Sequence, residues 1–316
     1  MILNILLLVV GLIILIVGGD FLVRGASSIA LRLHISPLVV GLTIVAFGTS
    51  APELLISIKS ALAGSPDLTM GNVVGSNICN LALVLGITAL IEPIKVQSDS
   101  MKIDWPVAMG SALLLYFLIQ DGWIVGIEGI VFLSLLLTYT VYIIRRSRKE
   151  TKAMRQIEED AEMPDSPAKN VWRDVVFLGI GALGLYYGSE WFVGGAQELA
   201  RYLGVSERVI GITVLALGTS LPELVTAIVA SVKKETDLAL GNLMGSNIFN
   251  VLSILGITSL ITDIHVSGTI ISHDMLPMLG ITLLVLPMML TGRKIGRVEG
   301  GILLFTYLFY TYTVVS

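Results

Sequence analysis

The chain is poor in the residues that staple small secreted domains or build soft-metal centres. It has one cysteine, Cys79, which excludes an internal disulfide and a cysteine-rich metal site. Its three histidines, His34, His265 and His273, are scattered near the ends of apolar stretches, so no imidazole cluster suits a transition metal. Charge is scarce as well: Asp, Glu, Lys and Arg make up 14% of 316 residues, against 54% hydrophobic. At a mean hydropathy of +0.87, a soluble fold would leave much Leu, Ile and Val in water, so a polytopic all-α membrane protein is expected. The net charge of −4 sits in short loops and excludes a nucleic-acid partner. Met1-Ile2-Leu3-Asn4 lacks the basic start of a cleaved signal peptide, and is read as the beginning of the first span.

What is present is long apolar sequence. A helix crosses the hydrocarbon in about 20 residues, and that length divides the chain into ten stretches: 3–30, 36–62, 68–91, 104–120, 123–144, 171–203, 208–232, 238–261, 273–291 and 298–315. Residues 145–170 form the one extended polar segment, basic at Arg145, Arg146, Arg148 and Lys149, then acidic at Glu158, Glu159, Asp160 and Glu162. It is expected to be a solvated, partly disordered linker between halves 1–144 and 171–316. With the linker cytoplasmic, 17 of the 20 Lys and Arg residues fall inside and only Lys59, Arg201 and Arg208 outside. Both termini are then external.

The halves repeat each other. Residues 41–91 and 211–261 align without a gap at an offset of 170, with 25 identities in 51 positions. Five spans per half is an odd number, so the second half enters the membrane from the opposite side and the repeat is inverted, the arrangement in which transporters place a midplane site.

Each half carries Gly-Thr-Ser-x-Pro-Glu, Gly48 to Glu53 and Gly218 to Glu223. Gly48 weakens its helix and Pro52 lacks the N–H that a continuous helix needs, so the span should break there. Ser50, or Thr49, then reads as the cap of a fresh helix with Glu53 in its first turn. Ser220 and Glu223 read the same way. A capping box is the plain structural alternative. Yet an intramembrane carboxylate carries an insertion penalty of about 2.5–3.5 kcal/mol, taking Asp as a guide, while a cap contributes roughly 1 kcal/mol. Capping alone does not justify glutamate where serine would serve, and cation binding is favoured.

The second motif, Gly-Asn-x-x-Gly-Ser-Asn-Ile-x-Asn, occupies Gly71 to Asn80 and Gly241 to Asn250. Ser76 and Asn80, like Ser246 and Asn250, lie four apart on one helix face. Asn80 and Asn250 are read as cavity-lining. For Asn72, Asn77, Asn242 and Asn247, binding the ion and holding helices together are equally good readings. Two glutamates plus the carbonyls of Thr49 and Thr219 offer up to six oxygens, within the range Ca2+ takes, and two negative charges balance it. Asp20 and Glu190 also obey the offset and are secondary candidates for an ion path, although Arg24 lies one turn from Asp20. Asp67 and Asp237, where the third and eighth spans begin, read as helix caps.

These doubled motifs resemble the alpha repeats of the Ca2+/cation antiporter superfamily, nearest its prokaryotic sodium/calcium exchanger branch. The resemblance runs over essentially the whole chain. It implies Ca2+ ligation by Glu53, Glu223, Thr49 and Thr219. It further implies an inner Na+ site of Ala46, Thr49, Ser76 and Glu53, an outer one of Ala216, Thr219, Ser246 and Glu223, and a cavity lined by Ser50 and Ser220. The implied activity is Ca2+/Na+ antiport by alternating access, with no catalysis and no cofactor beyond the transported ions. The expected location is a prokaryotic plasma membrane, with lipid and the transported cations as the partners. In familiar Na+/Ca2+ exchangers one of the positions equivalent to Asn80 and Asn250 is aspartate; here both are asparagine, which leaves Na+, K+ and H+ open as coupling ions. A cation channel, using the carboxylates as a selectivity ring, is the alternative from another class.

Overall fold

Apolar sequence in lipid must close its backbone hydrogen bonds within each segment, and the described residues are helical almost throughout. The structure is a computed structural model and describes residues 2–158, 171–204 and 216–315. The first half contains α1 (Ile2–Leu33), the broken pair α2 (Pro37–Thr49) and α3 (Ala51–Leu62), α4 (Pro66–Ile91), α5 (Ser100–Asp121) and α6 (Gly126–Glu158). The second contains α7 (Val171–Tyr202), α8 (Ala216–Thr219), α9 (Leu221–Val232), α10 (Thr236–Ile261), α11 (Ile270–Arg293) and α12 (Arg297–Val315).

Among the described residues seven helices are long and apolar enough to cross a membrane, and eight with the α2/α3 pair counted as one span. This is fewer than the ten stretches in the sequence. Residues 208–215, the start of the seventh stretch, lie outside the described residues, and α9 alone has 12 residues. The tenth stretch is the 19-residue α12, which begins with Arg297 and has Glu299 in its first turn.

The repeat is inverted. Helices α1 and α7 occupy equivalent places in the two halves, and they pack antiparallel along their length. Gly11 lies against Gly188 and Phe192, Gly18 against Gly184 and Leu185, and Gly25 against Asp174 and Leu178. Equivalent helices that run in opposite directions are related by a two-fold axis across them. The seam requires glycine: a Cβ on Gly11 would stand 2.6 Å from the Phe192 backbone nitrogen. Two short antiparallel ribbons obey the same axis. Strand β1 (Ile94–Lys95) pairs with β4 (Lys294–Ile295), and β2 (Trp123–Ile124) with β3 (Ile264–His265).

Helices α4 and α10, which carry the second motif, form the centre, with 78% of each apolar window buried. The windows of α1, α6 and α7 are only 28%, 22% and 22% buried, which places these helices on the lipid-facing outside. Their exposed Leu12, Ile16, Ile130, Leu137 and Leu183 need no covering in lipid.

The linker is not wholly a loop. Its first part, from Arg145 to Glu158, continues α6 as helix. Arg, Lys, Glu, Met and Ala all favour helix, and Arg146 pairs with Glu150 one turn on, at 3.0 Å. Arg146 also grips both carboxylate oxygens of Asp99, at 2.9 and 2.8 Å, and Ser147 Oγ accepts from the Ser36 N–H at 2.8 Å. Residues 159–170 lie outside the described residues.

Candidate ion-binding site

The first broken span bends by 44° between Thr49 and Ala51. Pro52 has no N–H for the carbonyl of Gly48, and Ser50 leaves helical geometry at φ −86°, ψ 4°. Ser220 has the same geometry, φ −87° and ψ 5°, ahead of Pro222. The breaks therefore fall where glycine and proline place them. The capping expected of Ser50 or Thr49 and of Ser220 is not there: neither Ser50 nor Ser220 makes a side-chain cap bond, and Thr49 is the last residue of α2. The glutamates do not reach back to their own helix starts either.

Glu53 and Glu223 are each fully buried in the first turn of α3 and α9, and they interact electrostatically with each other. Glu223 Oε1 accepts from Ser50 Oγ at 3.1 Å and from Ser246 Oγ at 3.3 Å. Thr49 Oγ1 donates to Asn242 Oδ1 at 3.1 Å and lies 3.3 Å from the Ala46 carbonyl and 3.4 Å from Ser246 Oγ. One network thus ties Ala46, Thr49 and Ser50 of the first half to Glu223, Asn242 and Ser246 of the second. The hydroxyl network joins halves, whereas the resemblance groups Ala46 and Thr49 with Ser76 and Glu53 of their own half.

The other side of the site is unpaired. Both Glu53 oxygens, both polar atoms of the Asn80 side chain, Ser220 Oγ, Glu223 Oε2 and Asn250 Oδ1 are buried without a hydrogen-bond partner among the described residues. Ser76 is buried on α4 beside them in sequence register, and Thr219 is half-buried at the end of α8. Ala216 begins α8, and its side chain lies outside the described residues. Buried polar atoms left unpaired are costly, and so many oxygens around two carboxylates are chemically a cation's coordination set. Among the described residues no group of three or more acidic, histidine or cysteine side chains offers a metal site, so neutral oxygens must complete any shell.

The second motif divides its labour. Asn77 and Asn247 each donate from Nδ2 to the other's backbone carbonyl, both at 3.2 Å, and pin α4 to α10. Asn250 Nδ2 donates to Asn77 Oδ1 at 3.0 Å. Asn72 donates to the Glu53 carbonyl at 3.2 Å and to Ser57 Oγ at 3.0 Å, anchoring the backbone that carries Glu53. Ser57 is a supporting residue that the motifs do not include; its signal is a hydroxyl four residues beyond Glu53 in an apolar helix, and it is fully buried. Its repeat mate is Ala227, so Asn242 Nδ2 has no such hydroxyl and is unpaired among the described residues, while its Oδ1 accepts from Thr49. Asn80 and Asn250 also stand in widened, π-type turns at 79–84 and 250–255, a local geometry common at functional sites.

Asp20 and Glu190 are not brought to the carboxylates. Asp20 pairs with Arg24 at 2.8 Å and with Lys233 at 2.5 Å, beyond the far end of α9 from Glu223. Glu190 is exposed. Nor do Asp67 and Asp237 cap: they lie in the first turns of α4 and α10 without a side-chain cap bond, and Asp237 accepts from Gln97 at 2.6 Å.

Comparison with known proteins agrees with this architecture. A family profile described as sodium/calcium exchanger protein matches residues 3–145 and again 174–316, one match per half. The chain is 41% identical to a putative antiporter, CaxA, of Alkalimonas amylolytica over 313 residues, covering 97% of each. It is 31% identical to the sodium/calcium exchanger MaX1 of Methanosarcina acetivorans, covering 96% of each. A solved structure of the sodium-calcium exchanger NCX_Mj superposes with a TM-score of 0.84 at 32% identity over 99% of both chains. With both halves matched and the fold shared end to end, the chain belongs to the sodium/calcium exchanger protein family.

Proposed function

We propose that this protein exchanges Ca2+ for Na+ across a prokaryotic plasma membrane by alternating access to one midplane site. The observation that carries the reading is the pair of fully buried carboxylates, one on each broken helix, together with buried oxygens that are unpaired among the described residues. Glu53, Glu223 and the carbonyls of Thr49 and Thr219 hold Ca2+. Na+ uses the glutamates with Ala46, Ser76, Ala216, Ser246 and the same threonines, and Ser50, Ser220, Asn80 and Asn250 line the cavity. The chain has ten spans, with 1–144 and 171–316 as halves, a cytoplasmic 145–170 linker and external termini.

The network is lopsided across the two-fold axis. Ser50 bonds to Glu223 at 3.1 Å, while its mate Ser220 leaves Glu53 unbonded. A duplicated site that is bonded on one side and unbonded on the other suits an alternating carrier, because the halves can exchange these roles when the accessible face changes. A channel needs no such exchange. No group is made or broken in this process, so the protein acts without catalysis, and its partners are lipid and the transported cations.

The deciding measurement is 45Ca2+ uptake by proteoliposomes loaded in turn with Na+, with K+, or with a proton gradient and no alkali cation. Uptake should require internal Na+. Uptake driven by the proton gradient alone would assign the protein to Ca2+/H+ exchange, and uptake without any counter-ion would make it a channel.

A further inference from the structure

The offset of 170 assigns every polar contact in the centre a mate in the other half. The Asn77 and Asn247 pair is its own mate, and both of its bonds are made at 3.2 Å. The neighbouring contacts are made only once. Asn250 Nδ2 donates to Asn77 Oδ1 at 3.0 Å. Its mate would run from Asn80 Nδ2 to Asn247 Oδ1, and those two atoms, a donor and an acceptor, are both buried and unpaired among the described residues. The same sidedness holds at the carboxylates, where Ser50 bonds to Glu223 but, among the described residues, Ser220 makes no matching bond to Glu53 and both Glu53 oxygens lack a hydrogen-bond partner.

We propose that Asn77 and Asn247 are positioning residues that hold Asn250 and Asn80 by turns, one in each access state, and so set which cavity asparagine is free to face the ion. The proposal rests on the exchange reading above. Asn77 and Asn247 sit at the axis, where their mutual amide bonds need no rearrangement when the halves exchange roles. Each keeps one side-chain oxygen for a neighbour one helical turn along the other half's helix. In the state seen here Asn77 holds the Asn250 amide nitrogen and so fixes where the unpaired Asn250 Oδ1 points, whereas among the described residues neither polar atom of the Asn80 side chain has a partner. In the opposite state Asn247 takes the Asn80 amide, and Asn250 is released. The released asparagine turns its carbonyl oxygen to the cation. A permanently unmet donor and acceptor would be costly in a buried site, and this exchange leaves only one such pair unmet at a time.

The test is the apparent KM for Ca2+ measured separately at the two faces of oriented proteoliposomes. Asn77→Ala removes the bond to the Asn247 carbonyl as well as the Asn250 bond, so any loss of the first falls on both faces and loss of the second should raise KM about three- to tenfold more at one face than at the other; Asn247→Ala should do so with the faces reversed. Because Asn77 acts through Asn250, Asn77→Ala and Asn250→Ala should be strongly non-additive, while Asn77→Ala with Asn80→Ala should add. A loss that served only to pin α4 to α10 would raise KM equally at both faces, and that result, or additive behaviour with Asn250→Ala, overturns the proposal. Should Asn77→Ala fail to reach the membrane, Asn250→Ala and Asn80→Ala alone decide: effects at opposite faces support the exchange, and effects at the same face refute it. Glu53→Gln measured in parallel separates the two readings, since a Glu53→Gln protein that still exchanges Ca2+ removes the ion site itself, whereas an inactive one without sidedness at the asparagines removes only the positioning role.

Discussion

Replacing glutamate by glutamine at position 53 or 223 swaps one oxygen for an amide and deletes one charge, with almost no change in volume. If both carboxylates face the cation, either change leaves a divalent ion undercompensated in a poorly solvated cavity. Breaking a buried charged set typically costs about 3–5 kcal/mol. Glu53→Gln and Glu223→Gln should therefore each lower 45Ca2+ exchange on the order of a hundredfold or more while the protein elutes normally in size-exclusion chromatography. Exchange at near the parental rate in either variant would remove that residue from the site.

At the scale of elements, the α1/α7 seam is the most extensive contact between the halves among the described residues. Gly11 and Gly188 approach the opposing backbone so closely that a methyl group at Gly11 would lie 2.6 Å from the Phe192 nitrogen. Gly179, also on α7, has nothing within 4 Å of an added Cβ. Gly11→Ala should thus destabilise the folded protein by about 1–3 kcal/mol through overpacking, lowering the unfolding temperature in detergent. Gly179→Ala should be neutral or slightly stabilising, because alanine favours helix over glycine. Equal behaviour of the two variants would mean that the seam is looser than its geometry.

Orientation and charge movement belong to the whole molecule. The described side of the linker is tied to one face: Arg146 pairs with Asp99, Ser147 with Ser36, and Arg32 with Asp174. A cysteine introduced into 159–170 of a Cys79→Ala background should resist an impermeant thiol reagent in intact cells and react after lysis. Labelling from outside would reverse the orientation. The site offers two carboxylate charges, since Asn80 and Asn250 are neutral. Exchange of three Na+ for one Ca2+ then moves one net charge, and about 2.3 kcal/mol per 100 mV should act on it. Na+-driven Ca2+ flux in vesicles clamped with K+ and valinomycin should respond to voltage. Flux indifferent to voltage would make the exchange electroneutral.

Much of this was legible before any coordinate. An odd number of apolar stretches per half, together with a gapless repeat, predicts inversion, because helix direction in a membrane is a matter of counting. Pro52 and Pro222 predict the broken helices, because a missing N–H acts locally. Glu53 and Glu223 stand out because a carboxylate in lipid has no cheap local explanation. The helix at Arg145 to Glu158 was less legible, since a charged run scores as solvated whether or not tertiary anchors such as Arg146 to Asp99 hold it in register. The secondary candidates Asp20 and Glu190 share the offset of the proposed site residues, and sequence spacing cannot tell that Lys233, 213 positions away, takes the Asp20 carboxylate. By itself the sequence determined where the helices break, which carboxylates lie within the membrane and how the halves are related, all consequences of local backbone chemistry and hydropathy. Only the tertiary structure decided which of two identical motifs bonds and which stays unpaired among the described residues, because a repeated sequence is symmetric in its possibilities whereas the packed halves bond Ser50 to Glu223 and Asn250 to Asn77 without the mate bonds.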